Sequence, residues 1–284
     1  MKKICFITCA ILLCASLAFG DEVEDKLSPM ATQELKANTR EMIRSGIDSD
    51  DAIKMTKLML ENRFRHQLIL EAQHIIMNAQ REGLPLGPIM NKAQEGMTKR
   101  VQHKTIVQAM ERVRSRYAFA YQQAKTITQS RAQMHQIGNT IALGLAAGMN
   151  QEDVGRIMQR LQHRAQEMTR AYAEELARET FMATRTMARL GVSSEATTEL
   201  VCQALLNRYT AREMEAMRNS FMTRSRNENP TNLAKSYAKE IQGGKGAGSP
   251  GSSGMGGSGP SGSHGSSGGN GGSGGNGGSG GGHK

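Results

Sequence analysis

Polar and apolar positions between residues 31 and 241 repeat with the period of an α-helix. Three stretches show this best, and their apolar residues are Leu60, Phe64, Leu68, Ala72, Ile75 and Ala79; Ile106, Ala109, Met110, Val113, Tyr117 and Ala120; and Val154, Ile157, Met158 and Leu161. Proline interrupts this region only at Pro85, Pro88 and Pro230. No run of alternating β-branched residues marks a strand. The pattern predicts an all-α fold, an array or bundle of antiparallel helix pairs.

Four glycines predict the corners between helices: Gly46, Gly83, Gly148 and Gly191. Each ends a helical stretch, where a left-handed glycine closes the last turn, and each precedes one apolar residue. A residue suited to begin a helix follows three of them: Asp48, Asn150 and Ser193 as N-caps. The second corner uses Pro85 instead, with Pro88 suited to a first helical turn. We interpret the corners as four degenerate repeats that bury their apolar faces on one another. A bundle of unrelated helices is the alternative.

The interval between Gly83 and Gly148 is the longest of the three. Its central part, roughly residues 104–140, has the composition of a helix and no clear break signal. The sequence leaves open whether it forms one extended helix or two.

The second corner carries a short motif. Gly83-Leu84-Pro85, Pro88, Lys92, Glu95-Gly96 and Lys99 resemble a GLPxxP…K…EG…K pattern of uncharacterised exported helical proteins of bacteria. The resemblance covers about 30 residues and implies an exported helical class. It implies no activity.

Residues 1–20 have the pattern of a cleavable signal peptide. Lys2 and Lys3 precede an apolar run over residues 4–17, which closes on Ala18-Phe19-Gly20 with small residues at −3 and −1 of the cut. The chain is therefore expected to be exported, to the periplasm or the exterior, with no membrane span after cleavage. Attachment of a lipid at Cys14 is the alternative, which the bulky Leu13 before it disfavours. Cleavage leaves Cys202 as the single cysteine, so no internal disulfide is expected.

The C-terminal residues have a very different composition. Residues 243–284 hold 22 of the chain's 32 glycines and one large apolar residue, Met255. Such a segment cannot bury enough apolar surface to offset the entropy of ordering it. The chain thus divides into a signal peptide (1–20), an acidic lead-in (21–30), a helical domain (31–241) and a disordered Gly/Ser-rich tail (242–284).

The positive charge of the chain suggests a surface for anions. The whole chain carries +10, and residues 21–242 keep about +6 once the leader and the tail are set aside. Arginines recur at helical spacing and form a candidate anion-binding face, at Arg112, Arg116, Arg156, Arg160 and Arg164. An anionic polymer or lipid surface would suit it. Export and the scarcity of aromatic residues disfavour nucleic acid.

Residues that would mark an enzyme are missing from the sequence. No phosphate-binding glycine loop, nucleophile elbow or zinc-protease motif occurs, and no cofactor is expected. The sequence therefore favours a non-catalytic exported scaffold or interaction protein of the cell envelope or exterior, with an unidentified protein partner. The alternative is an envelope protein that binds a metal through methionine and histidine, or an anionic polymer through arginine.

Overall fold

The computed structural model describes residues 22–27, 29 and 31–244. The predicted signal peptide and all of the tail beyond residue 244 lie outside these residues. Within them the all-α prediction is confirmed, since every regular element is a helix. The helices are α1 over residues 22–27, α2 (Gln33–Arg44), α3 (Ser49–Glu61), α4 (His66–Arg81), α5 (Gly87–Thr98), α6 (His103–Lys125), α7 (Arg131–Ala146), α8 (Gln151–Ala165), α9 (Arg170–Arg189), α10 (Ser194–Leu206), α11 (Ala211–Arg224) and α12 (Pro230–Gln242).

Helices two positions apart in the chain pack on each other and build the array. One series runs α2, α4, α6 and then, through the α6–α7 contact, α7, α9 and α11, while α8, α10 and α12 form a second series. One continuous apolar core runs through these layers, from Leu35 in α2 to Ile241 in α12. No helix in the described part of the chain is both long and apolar enough to cross a bilayer.

The four predicted corner glycines all adopt left-handed backbone geometry. Their φ angles are 92° at Gly46, 69° at Gly83, 117° at Gly148 and 83° at Gly191. The apolar residue after each one is buried, and its N–H closes the helix end. At the first corner, for example, the N–H of Ile47 donates to the carbonyl of Met42 at 3.2 Å. This is the hydrogen-bond pattern of a Schellman cap.

Three further corners have the same geometry with arginine in place of glycine. Arg63, Arg100 and Arg208 have φ angles of 57°, 53° and 60°, and each lies 17 residues after a corner glycine. The sequence analysis missed these corners because arginine gives no turn signal. A left-handed backbone costs an L-residue about 1–2 kcal/mol. The cap hydrogen bonds hold it in place, as where the N–H of Phe64 donates to Met59 at 3.0 Å.

The long middle interval divides into two helices. α6 ends at Lys125 and α7 begins at Arg131. Between them, the Thr128 hydroxyl donates to Glu174 of α9 at 2.6 Å and accepts the N–H of Ser130 at 3.0 Å. Ser130 in turn caps α7, where its hydroxyl accepts the N–H of Gln133. Side-chain bonds of this kind satisfy the backbone where the helix breaks.

The acidic lead-in is partly helical and packs on the array. Val23 and Leu27 of α1 are buried against Ile53. The Glu24 carboxylate accepts hydrogen bonds from Lys36 at 2.6 Å and from Arg40 at 2.8 Å, and these bonds lower the pKa of Glu24. Lys36 is itself buried, so Glu24 neutralises a charge that would otherwise be costly at that position.

The backbone requirement at the corners can be tested at Gly83. A Cβ added there meets no atom within 4 Å, so the only penalty of Gly83→Ala comes from its positive φ. We expect the substitution to lower the free energy of unfolding by about 1–2 kcal/mol in urea denaturation followed by circular dichroism. Gly155→Ala is the matched control, because Gly155 lies inside α8 with equally open surroundings and no positive φ. It should raise stability by about 0.5–1 kcal/mol, and equal effects of the two would contradict the corner assignment.

Candidate functional site

An open cleft of about 690 Å³ lies between α5, α6 and the corner that joins α7 to α8. One face of α6 supplies most of its wall, because Thr105, Ala109, Arg112 and Arg116 follow at helical spacing. Ile106 and Val113, on the same face, are buried and form the floor. α6 therefore divides its amphipathic surface between the core and this cleft.

Other elements complete the apolar part of the cleft. Val101 lies at the arginine-type corner between α5 and α6 and remains 37% exposed. Leu145 of α7 and the corner residue Met149 add apolar surface from the opposite side. The cleft thus combines a continuous apolar floor with open access from solvent. Such surfaces are typical of binding sites.

Gly96 brings the two walls together. A Cβ at this position would lie 2.7 Å from Cγ1 of Ile106 and 3.0 Å from its Cδ1. The absence of a side chain therefore lets α6 pack closely on α5. Lys92, Glu95, Gly96 and Lys99, the second half of the motif at the second corner, all line the cleft.

Charged side chains surround the apolar floor. Glu95 accepts hydrogen bonds from Lys92 at 2.7 Å and from Lys99 at 2.5 Å, and these bonds lower the pKa of Glu95 to about 2. Glu111 is held by Arg114 at 2.6 Å, which lowers the pKa of Glu111. Both carboxylates in the lining are therefore ionised and already paired with cations.

Arg112 and Arg116 are the unpaired cations of the cleft. Neither forms an ion pair with any described residue, and they lie one turn apart on α6. The lining holds four cationic and two anionic side chains, a surplus of two positive charges. Asn150 and Gln151 at the rim begin α8, so the positive end of that helix dipole also lies at the cleft.

The five arginines of the predicted anion-binding face lie in two separate places. Arg112 and Arg116 belong to the cleft, whereas Arg156, Arg160 and Arg164 lie along α8. Two of the α8 arginines are paired locally, Arg156 with Asp153 and Arg164 with Glu167 at 3.3 Å. Sequence spacing could not show this division, since it depends on which helices become neighbours.

The α8 arginines line two smaller depressions against α10. One, of about 410 Å³, contains Arg156, Arg160 and Cys202, and burial raises the pKa of the Cys202 thiol. The other, of about 160 Å³, contains Arg160, Arg164 and Arg208 with Glu167. The Glu167 carboxylate lies 3.6 Å from Arg208 as well as near Arg164, so it neutralises part of this positive charge. The α8 surface is therefore a weaker anion site than its arginine content suggests.

Most methionines serve as core residues in the structure. Twelve are buried, namely Met42, Met55, Met59, Met77, Met90, Met97, Met110, Met149, Met158, Met187, Met214 and Met217. Among the described residues, no group of three or more His, Cys, Asp or Glu side chains is placed to hold a metal ion. A flexible thioether suits the irregular gaps between packed helices.

Comparison with protein-family models, with curated proteins and with solved structures finds no match for this chain.

Proposed function

We propose that this protein is an exported, non-catalytic interaction protein of the cell envelope or exterior, and that the cleft between α5, α6 and α8 holds its partner. The observation that carries the proposal is the combination at one place of an open apolar floor with the unpaired Arg112 and Arg116. Apolar area provides binding energy and cationic groups provide selectivity and orientation.

The fixed arrangement of the helices in the array supports a scaffold role. The helices around the cleft are fixed by capped corners at Gly83, Arg100 and Gly148 and by close packing at Gly96. A pre-organised surface loses little entropy when a partner binds. The leader-like composition of residues 1–20 supports export.

Crosslinking in cells tests the interaction. A photo-reactive amino acid at Val101, which is exposed within the cleft, should give a crosslinked product of discrete mass. The same amino acid at Tyr172, which is 67% exposed on α9 and lies outside the cleft, is the matched control. Products from Tyr172 alone, or from neither position, would contradict the proposed binding surface.

Export has its own measurement. The N-terminal residue of protein isolated from its native cells should be Asp21. An intact Met1 would refute cleavage and with it the exported half of the proposal.

An anionic polymer is the second candidate partner, favoured by the row of arginines on α8. Arg160 lines both depressions there and makes no ion pair within the described residues. Charge reversal of Arg160 should weaken retention on a heparin column if this surface binds polyanions, because the interaction is electrostatic and screened by salt.

A further inference from the structure

The chemistry of the cleft also indicates what kind of partner segment it takes. We propose that the cleft binds an amphipathic, acidic helix of a partner protein, with its apolar face on the floor and its carboxylates against Arg112 and Arg116. This inference rests on the proposed function and specifies the partner at the same site.

The apolar floor matches one face of a helix. Val101, Ala109 and Leu145 are accessible above the buried Ile106 and Val113, and together they form a groove between helices. A helix lying in such a groove presents anchors at i, i+3, i+4 and i+7. The volume of about 690 Å³ accommodates a few apolar side chains rather than a whole domain.

The charges around the floor select acidic over basic segments. Glu95 is already ion-paired with Lys92 and Lys99. Glu111 is ion-paired with Arg114, so neither carboxylate is free to bind a basic ligand. Arg112 and Arg116 have the spacing of one helical turn and no carboxylate of their own. Two glutamates one turn apart on a facing helix would match them in spacing, because both pairs repeat at the same rise.

Two other classes of anion fit less well. A nucleic-acid strand needs aromatic surfaces for its bases, and the cleft lining contains none. A flat membrane surface would meet the exposed rim and leave the recessed Ile106 and Val113 uncontacted. A helix with side chains that project into the groove reaches both the floor and the arginines.

Fluorescence anisotropy with purified full-length chain tests this inference. The probe is a labelled synthetic peptide of about four helical turns, with leucine on one face and glutamate on the other. We expect saturable binding that weakens with added salt. The double variant Arg112→Glu/Arg116→Glu should raise Kd about tenfold or more, because attraction becomes like-charge repulsion.

The matched control removes the same charge elsewhere. Arg131 and Arg212 are exposed, lie outside the cleft in the first turns of α7 and α11, and make no ion pair with described residues. Arg131→Glu/Arg212→Glu changes the net charge equally but should change Kd less than about twofold, because both positions lie outside the cleft. The fold should tolerate it, since acidic residues are favoured at helix N-termini. If both double variants lose affinity equally, the effect comes from net charge alone, and the inference is overturned.

Two further probes separate the possible failures. A scrambled peptide of the same composition lacks the apolar face, and binding as tight as that of the designed peptide would overturn the helix assignment. Binding to phosphatidylglycerol vesicles that depends on Arg112 and Arg116, with no peptide binding, would assign the cleft to lipid instead. If the peptide fails while the cellular crosslink at Val101 persists, the partner chemistry is wrong and the proposed interaction surface stands.

Discussion

Arg218→Met should lower the free energy of unfolding by about 3 kcal/mol, because it removes one of the two cations that neutralise a buried carboxylate. Glu179 of α9 and Arg218 of α11 form an ion pair at 3.4 Å, and the side chains are only 6% and 10% exposed. Arg178 also contacts Glu179, at 2.9 Å, and reduces the loss. Urea denaturation followed by circular dichroism would measure it.

The double variant Glu179→Met/Arg218→Met should recover most or all of the lost stability. The native pair is poorly satisfied, since Oε2 of Glu179 and Nε of Arg218 make no hydrogen bond. Two apolar side chains of similar volume avoid the desolvation cost of both charges. Arg212→Met, at an exposed position of the same helix, is the control and should stay within about 0.5 kcal/mol of the native chain. A double variant as unstable as the single one would mean that the pair is needed for specific packing of α9 on α11.

Local sequence rules predicted the all-α class and the positions of the glycine corners, but not every helix boundary, since the apolar stripe from Leu60 to Ala79 runs across the break between α3 and α4. The reason is that both depend on near neighbours: apolar residues at helical spacing, and a glycine where the backbone turns left-handed. Residues ten positions beyond the corner glycines, including Thr56 and Val201, are buried in the structure, although Thr56 is polar. Thr56 is accommodated by bonds to Ala52 and Gln73, the second of which no local pattern could reveal.

The candidate site was only partly predictable. In the sequence, Arg112 and Arg116 belong to a charged helix face and Lys92, Glu95 and Lys99 to a motif, yet no spacing connects the two groups. Gly96 connects them by allowing α6 to approach α5. That contact is tertiary. Met149 likewise lines the cleft together with Ala109, although the two are 40 residues apart in the sequence. The sequence therefore predicts the charged surface, whereas the cleft that contains Arg112 and Arg116 depends on contacts between helices that only the fold provides.

A close approach between α6 and α7 at Gly138 yields the second large expected effect. A Cβ at Gly138 of α7 would lie 2.6 Å from Cδ2 and 2.8 Å from Cε2 of Tyr121 on α6. The ring has little freedom to move aside. Its hydroxyl donates to Asn139 at 3.0 Å and lies 2.9 Å from Nδ1 of His135, which packs against the ring edge-on.

Gly138→Ala should therefore lower the free energy of unfolding by about 1–3 kcal/mol through overpacking, despite the better helix propensity of alanine. The measurement belongs at pH 7, because burial raises the pKa of Tyr121 to about 12 and its ionisation does not contribute there. As pH rises from about 10 towards 12, the unfolded chain would lose this proton first, and stability would fall for that separate reason.

A double-mutant cycle distinguishes the clash from a general effect of alanine in α7. In a Tyr121→Ala background the ring is gone, so Gly138→Ala should become neutral or stabilising, with a coupling energy of at least about 1 kcal/mol. Additive losses would show that α6 and α7 do not need the close approach at Gly138. Because the α6–α7 contact joins the α2–α4–α6 half of the first series to its α7–α9–α11 half, a confirmed clash would identify Gly138 as a residue that lets these two halves share one core.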